Sequence, residues 1–315
     1  MHYHQLTPDE RYALAGCRLE GVGPSAIAVR LERHRSTIWR ELRRNRSADG
    51  GYRPVIAERQ AQNRRRLAHR PWRFTAADLA LIGERLSWHW SPEQIAGRLR
   101  REGRLQISHE TIYQYVWADK RGGGALHTFL RCAQKKRRKR YGSYERRGRV
   151  TGKRPIGTRP AIVDQRGRLG DWEIDTVLGD RDGACILSMV ERRTGFVAIG
   201  YLTERTTQAV NRRAIALIRA QPRPVHTITA DNGTEFHRYP VVEAKTAARF
   251  YFATPHHAWE RGTNENTNGL IRQFLPKRQS MAPYTQRDCA AIAQHLNQRP
   301  RKRLEYRTPE ECYVP

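Results

Sequence analysis

Residues 226–236 read HTITADNGTEF. Alternating Thr and Ile make a short apolar strand, and Asn232-Gly233 ends it in a turn, since both residues tolerate positive φ. Asp231 stands at the seam. As a turn residue it would bond its own backbone. At the C-terminal end of a strand in an α/β sheet, it would stand where ligands and metals bind. The stretch alone leaves both readings open.

Working outward, three apolar runs precede it at hairpin spacing: GDWEIDTVLG (170–179), ACILSMVERRTG (184–195) and FVAIGYLTERT (196–206), with Asp-Gly and Thr-Gly turn signals. TTQAVNRRAIALIRAQ (206–221) has helical spacing, with Ala209, Ile215 and Ile218 among its inward residues. Beyond the central strand, the pattern predicts a helix over 235–248, a strand ARFYFAT (248–254), a helix GTNENTNGLIRQFL (262–275) and a last helix over 285–297. The order β-β-β-α-β-α-β-α implies a mixed sheet with helices on its faces.

In such a sheet the first and fourth strands can be neighbours, which brings Asp175 to Asp231, while Glu265 lies in the first turn of a later helix. Hard Mg²⁺ takes oxygen ligands from a few carboxylates, phosphate and water. Two such ions about 3.5–4 Å apart suit an in-line phosphoryl displacement. Composition alone does not single these residues out. Asp171, Glu173 and Asp180 crowd Asp175, and Glu260 competes with Glu265, whose charge also suits a helix N-terminus.

Charge divides the chain. Its 315 residues carry a net +28, with 36 Lys and Arg against 14 Asp and Glu in residues 1–160, and 23 against 17 in the rest. An excess gathered in one half points to a polyanion partner rather than to solubility. No run approaches the roughly 18 apolar residues of a membrane span, and MHYHQLTPDE is not a signal peptide. The five cysteines are scattered singly, without a C-x-x-C pair, so a zinc site or disulfide framework is not expected and a reducing cytoplasm is.

The basic half repeats one unit. LTPDERYALAGCRLEG opens with Thr7, Pro8 and Glu10 as a capping box. PSAIAVRL (24–31) and RSTIWRELRRN (35–45) follow as two short helices, with Ile27, Leu31, Ile38 and Leu42 inward. This spacing resembles a helix-turn-helix, whose last helix enters the major groove. Its outward candidates are Arg35, Ser36, Thr37, Arg40, Arg43 and Arg44. SPEQIAGRLRREGRLQISHETIYQYV (91–116) is a second, degenerate copy with six extra residues in the connection, and offers Ser108, His109, Glu110 and Gln114. A basic run that includes Lys135, Lys136, Arg137 and Arg138 reads as a tether that also neutralises DNA phosphates. The expected domains are helix-turn-helix 1–48, basic connector 49–71, second helix-turn-helix 72–120, basic linker 121–160 and catalytic domain 161–315.

GDWEIDTVLG, TADNGTEF, HHAWERGTNENTNGLIRQFLPK and the closing LNQRPRKRLEYRTPEE together resemble bacterial insertion-sequence transposases of the DDE class, IS-thirty type. The resemblance covers most of the chain and is densest over 160–312. It implies a multidomain protein, with all-α helix-turn-helix units ahead of an α/β ribonuclease-H-like, retroviral-integrase-like domain. It also implies a triad of Asp175, Asp231 and Glu265 as catalytic metal ligands. Here 55 residues separate the first pair and 33 the second, the latter being the family spacing. Arg272, seven residues past Glu265, matches a basic residue common in such enzymes and is expected to contact phosphate. Ile174 replaces a frequent Gly, His256 a frequent Tyr, and KRQSM the usual KGTDF, while the triad is intact.

The implied activity is transposition. The protein would bind the terminal inverted repeats of its element as a homodimer or larger synaptic oligomer on double-stranded DNA. With two Mg²⁺ ions, or Mn²⁺ as a substitute, it would cleave the ends and join the 3′-hydroxyl to target DNA. A repressor that retains the fold without catalysis would be expected to have lost a carboxylate. A ribonuclease on RNA–DNA hybrids would not need two helix-turn-helix units.

Overall fold

The computed structural model describes residues 5–47, 50–67, 74–131, 152–180, 183–255 and 257–314. Two compact units divide the chain, Met1–Thr75 and Ala76–Pro315. Among the described residues no helix is long and apolar enough to cross a membrane, and Cys17, Cys185, Cys289 and Cys312 are free thiols.

The first unit has helices α1 (Pro8–Leu19), α2 (Pro24–Arg30), α3 (Arg35–Arg44) and α4 (Pro54–Leu67). Thr7 and Glu10 form the expected capping box on α1. Leu6, Leu14, Ile27, Ala28 and Ile38 make the small core. Such a core is thin for its unit, and a buried ion network reinforces it. Arg11 pairs with Glu41 at 2.7 Å and with Glu58, and donates to the Leu6 carbonyl at 2.9 Å.

The second unit begins with α5 (Ala76–Ser87), α6 (Pro92–Arg101) and α7 (His109–Arg121), around Ile82, Leu86, Ile95, Leu99, Ile112 and Val116. Ser91 and Gln94 cap α6 reciprocally. These helices are fastened to the far end of the chain. Arg98 grips Glu311 through two bonds of 2.8 and 2.7 Å, Lys302 pairs with Glu93 at 2.6 Å, and Arg299 donates to Gln94 at 2.7 Å. Gly97 lets the ring of Tyr306 lie on α6, because a Cβ there would stand 2.2 Å from a ring carbon.

The short α8 (Ala161–Asp164) leads into strands β1 (Asp171–Leu178), β2 (Cys185–Glu191) and β3 (Val197–Leu202). After them come α9 (Thr207–Arg219), β4 (Thr227–Ala230), α10 (Tyr239–Thr246), β5 (Arg249–Phe252), α11 (Gly262–Ile271), α12 (Gln286–Asn297) and α13 (Pro309–Tyr313). The sheet order is β3-β2-β1-β4-β5, with β1, β2 and β3 antiparallel and β4 and β5 parallel to β1. This is the mixed sheet expected from the strand order, in the ribonuclease-H-like arrangement that the resemblance implies. Both faces are covered. Trp172, Ile174, Ile228 and Phe250 pack under α9 and α10, while Val177, Ile186 and Ile199 pack under α11 and α12. Burial on both sides explains why the strands read as nearly continuous apolar runs.

Two elements are shorter than their sequence spans. Pro240 in the first turn fixes the start of α10, behind a 3₁₀ turn at Thr234–Phe236, and Ala247 at φ 59° ends it. The last turn of α11 is capped at Arg272.

Candidate active site

β1 and β4 pair in parallel from Asp171↔Thr227 to Glu173↔Thr229. Carried two residues further, the same offset sets Asp175 level with Asp231, just past the end of β4. Side chains alternate along a strand, so Asp171, Glu173 and Asp175 share one face. Their partners differ. Asp171 is held by Arg168 at 2.9 and 3.0 Å and by the Thr227 hydroxyl at 2.7 Å. Glu173 is fully buried against Arg192 at 2.7 Å, and its second oxygen accepts the Asn264 N–H at 2.9 Å. Asp180 is exposed. Only Asp175 of the four is turned toward Asp231.

A single guanidinium spans the two aspartates. Arg261 lies 3.7 Å from Asp175 Oδ1 and 3.6 Å from Asp231 Oδ2, and donates to the Ile174 carbonyl at 3.2 Å. Asp175 also accepts from the Thr176 N–H at 3.0 Å and the Asn268 amide at 2.8 Å. Asp231 accepts from the Gly233 N–H at 2.9 Å. Hence the Asn-Gly turn both ends the strand and holds the carboxylate. Burial pushes Asp175 up to about 6; the Arg261 charge opposes the rise and the Asp231 charge adds to it.

Glu265 sits on α11 between these contacts. Positions 261, 265, 268 and 272 recur at one helical stripe. Arg261 and Asn268 of that stripe touch Asp175, and Glu265 between them is exposed. Among the described residues, no three acidic, imidazole or thiol side chains are gathered at metal-ligand spacing. The donor set nonetheless fits a hard cation: two carboxylates already share one positive charge, and a third stands on the adjoining stripe. Arg272 has other partners than phosphate here. It donates to the Leu178 carbonyl at 2.7 Å and the Leu275 carbonyl at 3.3 Å, so it ties α11 to the end of β1.

Three residues near the carboxylates were not singled out by sequence: Arg261, Asn268 and Lys153. The Lys153 ammonium lies 3.5 Å from Asn232 Oδ1. Spacing gives no signal for such partners, although Arg261 and Asn268 fall within the quoted ERGTNENTNG motif. Of the residues expected to meet DNA, Arg35, Arg40, Arg43 and Arg44 are exposed on α3, while Ser36 and Thr37 are half-buried at its start. His109 and Gln114 are exposed on α7. Lys135, Lys136, Arg137 and Arg138 lie outside the described residues, as does His256.

A helix-turn-helix domain family matches residues 2–45. The transposase for insertion sequence element IS4351 of Bacteroides fragilis is 41% identical over 309 residues, which cover 98% of this chain and 95% of that protein. Transposase InsI for insertion sequence element IS30A of Escherichia coli is 35% identical over 322 residues, covering 97% and 82%. The solved catalytic core domain of BIV integrase is 20% identical with a TM-score of 0.36, covering 46% of this chain and 93% of that one. By its identity to full-length relatives, the chain belongs to the insertion-sequence transposases of the IS30 family.

Proposed function

We propose that this transposase cuts the ends of its own insertion sequence and joins the freed 3′-hydroxyls to target DNA. The observation that carries this reading is the level placement of Asp175 and Asp231 around one guanidinium, at 3.7 and 3.6 Å. Asp175, Asp231 and Glu265 would hold two Mg²⁺ ions, with Mn²⁺ as a substitute. Bound there, the ions supply charge that activates the attacking oxygen and stabilises the leaving one. The chain's own residues prepare the site. The Thr176 and Gly233 N–H groups and the Asn268 amide fix the orientation of the two aspartates before any ligand arrives. Glu173 anchors the start of α11, and so the height at which Glu265 is presented.

DNA recognition falls to other parts. The exposed face of α3 suits the major groove of the terminal inverted repeats. In the second unit His109 and Gln114 offer a further contact, and Lys135–Arg138 add affinity without sequence preference. Two ends must be cut together, so a homodimer or larger assembly on DNA is expected. The reading has the protein act on chromosomal DNA in the bacterial cytoplasm.

The test pairs wild type with Asp231→Asn on a fragment carrying the gene and its flanks, in Mg²⁺. Nicks and joined ends are mapped to the nucleotide. Cuts at a pair of inverted repeats that vanish in the variant support the reading. Specific binding without cutting by either protein, in Mg²⁺ and in Mn²⁺, replaces it with a repressor.

A further inference from the structure

Residues 152–155 run beside β5. The Phe252 N–H donates to the Arg154 carbonyl at 2.9 Å, Pro155 pairs with Phe252 in a parallel bridge, and the Tyr239 hydroxyl donates to the Gly152 carbonyl at 2.9 Å. These contacts pin Lys153 at the end of the sheet that carries Asp231. Its ammonium lies 4.5 Å from the centre of the Phe252 ring and 3.5 Å from Asn232 Oδ1. Asp231 and Glu235 both act on its charge, yet neither is within ion-pair reach. The residue is half-buried.

An ammonium carries three donors, and among the described residues the long contact to Asn232 engages one of them. A lysine that served merely to neutralise the acids would close on one of them. This one is held by the backbone beside its neighbours, at the mouth of a site whose carboxylates repel the phosphates that must enter. A compact point charge on a half-desolvated stem suits a single phosphate oxygen.

We infer that Lys153 contacts DNA in the catalytic site, its ammonium binding a non-bridging oxygen of the phosphodiester that is cut or of an immediate neighbour. The inference rests on the reading that Asp175, Asp231 and Glu265 cut DNA. It deepens that reading by naming the residue that receives the strand. It also gives the basic linker 121–160 a second task, since Lys153 belongs to it.

The experiment uses full-length wild type and Lys153→Gln on duplexes ending at the mapped cut. Each duplex carries ordinary phosphates or one neutral methylphosphonate, at the scissile position or either neighbour. Affinity is read by fluorescence anisotropy with Ca²⁺ in place of Mg²⁺, alongside the thermal midpoint. For wild type, one of the three methylphosphonates should weaken binding about tenfold. Lys153→Gln should bind the ordinary duplex about tenfold more weakly, with a salt slope shallower by about 1. The same methylphosphonate should then cost the variant nothing further, because the two changes remove one contact.

Lys153→Arg should keep the sensitivity. Independent, multiplying losses overturn the inference, as does a variant that binds like wild type. Should Lys153→Gln lower the midpoint by many degrees, Lys153→Met, which keeps the stem on Phe252, takes its place. If both lose the fold, the ammonium is a structural counter-charge and the inference fails. A wild type that binds ends and never cuts overturns the catalytic reading, and this one with it.

Discussion

In the first helix-turn-helix, Arg35, Arg40, Arg43 and Arg44 stand exposed along α3, with no ion pair among the described residues. In the second copy of the sequence pattern, Arg98 of α6 is engaged by Glu102 and Glu311, and Arg101 lies 3.8 Å from Glu305. The two units share a sequence pattern, but their charges are used differently. The exposed arginines of α3 are left for a partner, while Arg98 and Arg101 of α6 are spent on the chain's own acids, Glu311 and Glu305 of the C-terminal segment among them. Pattern and composition therefore locate a helix-turn-helix without saying which way its cations face. Side-chain partners say that.

The sharpest way to break this contrast is Arg11→Ala. Its side chain is 3% exposed, and removal leaves Glu41 and Glu58 facing each other without a cation. Loss of one partner from a buried network costs about 3–5 kcal/mol, more than so small a core can absorb. Calorimetry should show the first unit melting early and the second unmoved. Binding to the terminal repeats should be lost in proportion. A single merged transition at a lowered temperature would mean that the two units do not unfold independently, and an unchanged one that the Arg11 network adds no stability.

Gly97→Leu tests the other side. The new Cβ meets the Tyr306 ring at 2.2 Å, and Tyr306 already sits at φ 62°. Overpacking of this kind costs about 1–3 kcal/mol. It should lower only the second unit's transition and slow end cutting while leaving repeat binding intact. If cutting is unchanged, the seating of α6 on the C-terminal segment does not matter to catalysis.

These two residues also show where reading the sequence stops. The strand order followed from apolar runs and turn signals, because strands buried on both faces declare themselves locally. That Asp175 and Asp231 could meet followed from that order, while their choice over Asp171, Glu173 and Asp180 came from the family resemblance. Arg98 and Glu311 are 213 positions apart, and nothing local in either residue announces the other. Arg261 is similar: its position beside both aspartates depends on how α11 lies on the sheet. Glu173 and Asp171 looked equal to Asp175 in composition, and only their arginine partners separate them. Arg272 was legible as a basic residue on the right stripe, but its carbonyl partners were not.

Asp175 gives a smaller, pH-dependent effect. Burial raises its folded pKa to about 6 from an ordinary value of 3.8. A raised carboxylate pKa favours the fold below the unfolded value, and that advantage is lost as pH rises through 6. In metal-free protein, Asp175→Asn should match wild type below pH 4. Above pH 6 it should be more stable, by up to about 3 kcal/mol. Millimolar Mg²⁺ should then stabilise wild type more than the variant, because only wild type keeps the full ligand set. A stability difference that does not vary between pH 4 and 7 would mean that ionised Asp175 is not strained in the apo site.

The last contrast is between Arg40 on α3 and Arg98 on α6. Arg40 is exposed on α3, and a lost base contact is worth about 1–3 kcal/mol of discrimination. Arg40→Ala should therefore reduce the preference for terminal repeats over random duplex by about tenfold. Arg98→Ala should leave that ratio alone, because its guanidinium is already held by two carboxylates. Its cost should be about 1 kcal/mol or less of second-unit stability, since the Glu311 side chain is 40% exposed. Competition binding at one salt concentration measures both ratios. Equal loss on repeats and random DNA from Arg40→Ala would make α3 a phosphate clamp rather than a reader. A shifted ratio from Arg98→Ala would show that the C-terminal segment lets go of α6 when DNA binds. The contrast between exposed arginines on α3 and a committed one on α6 would then hold only for the protein without DNA.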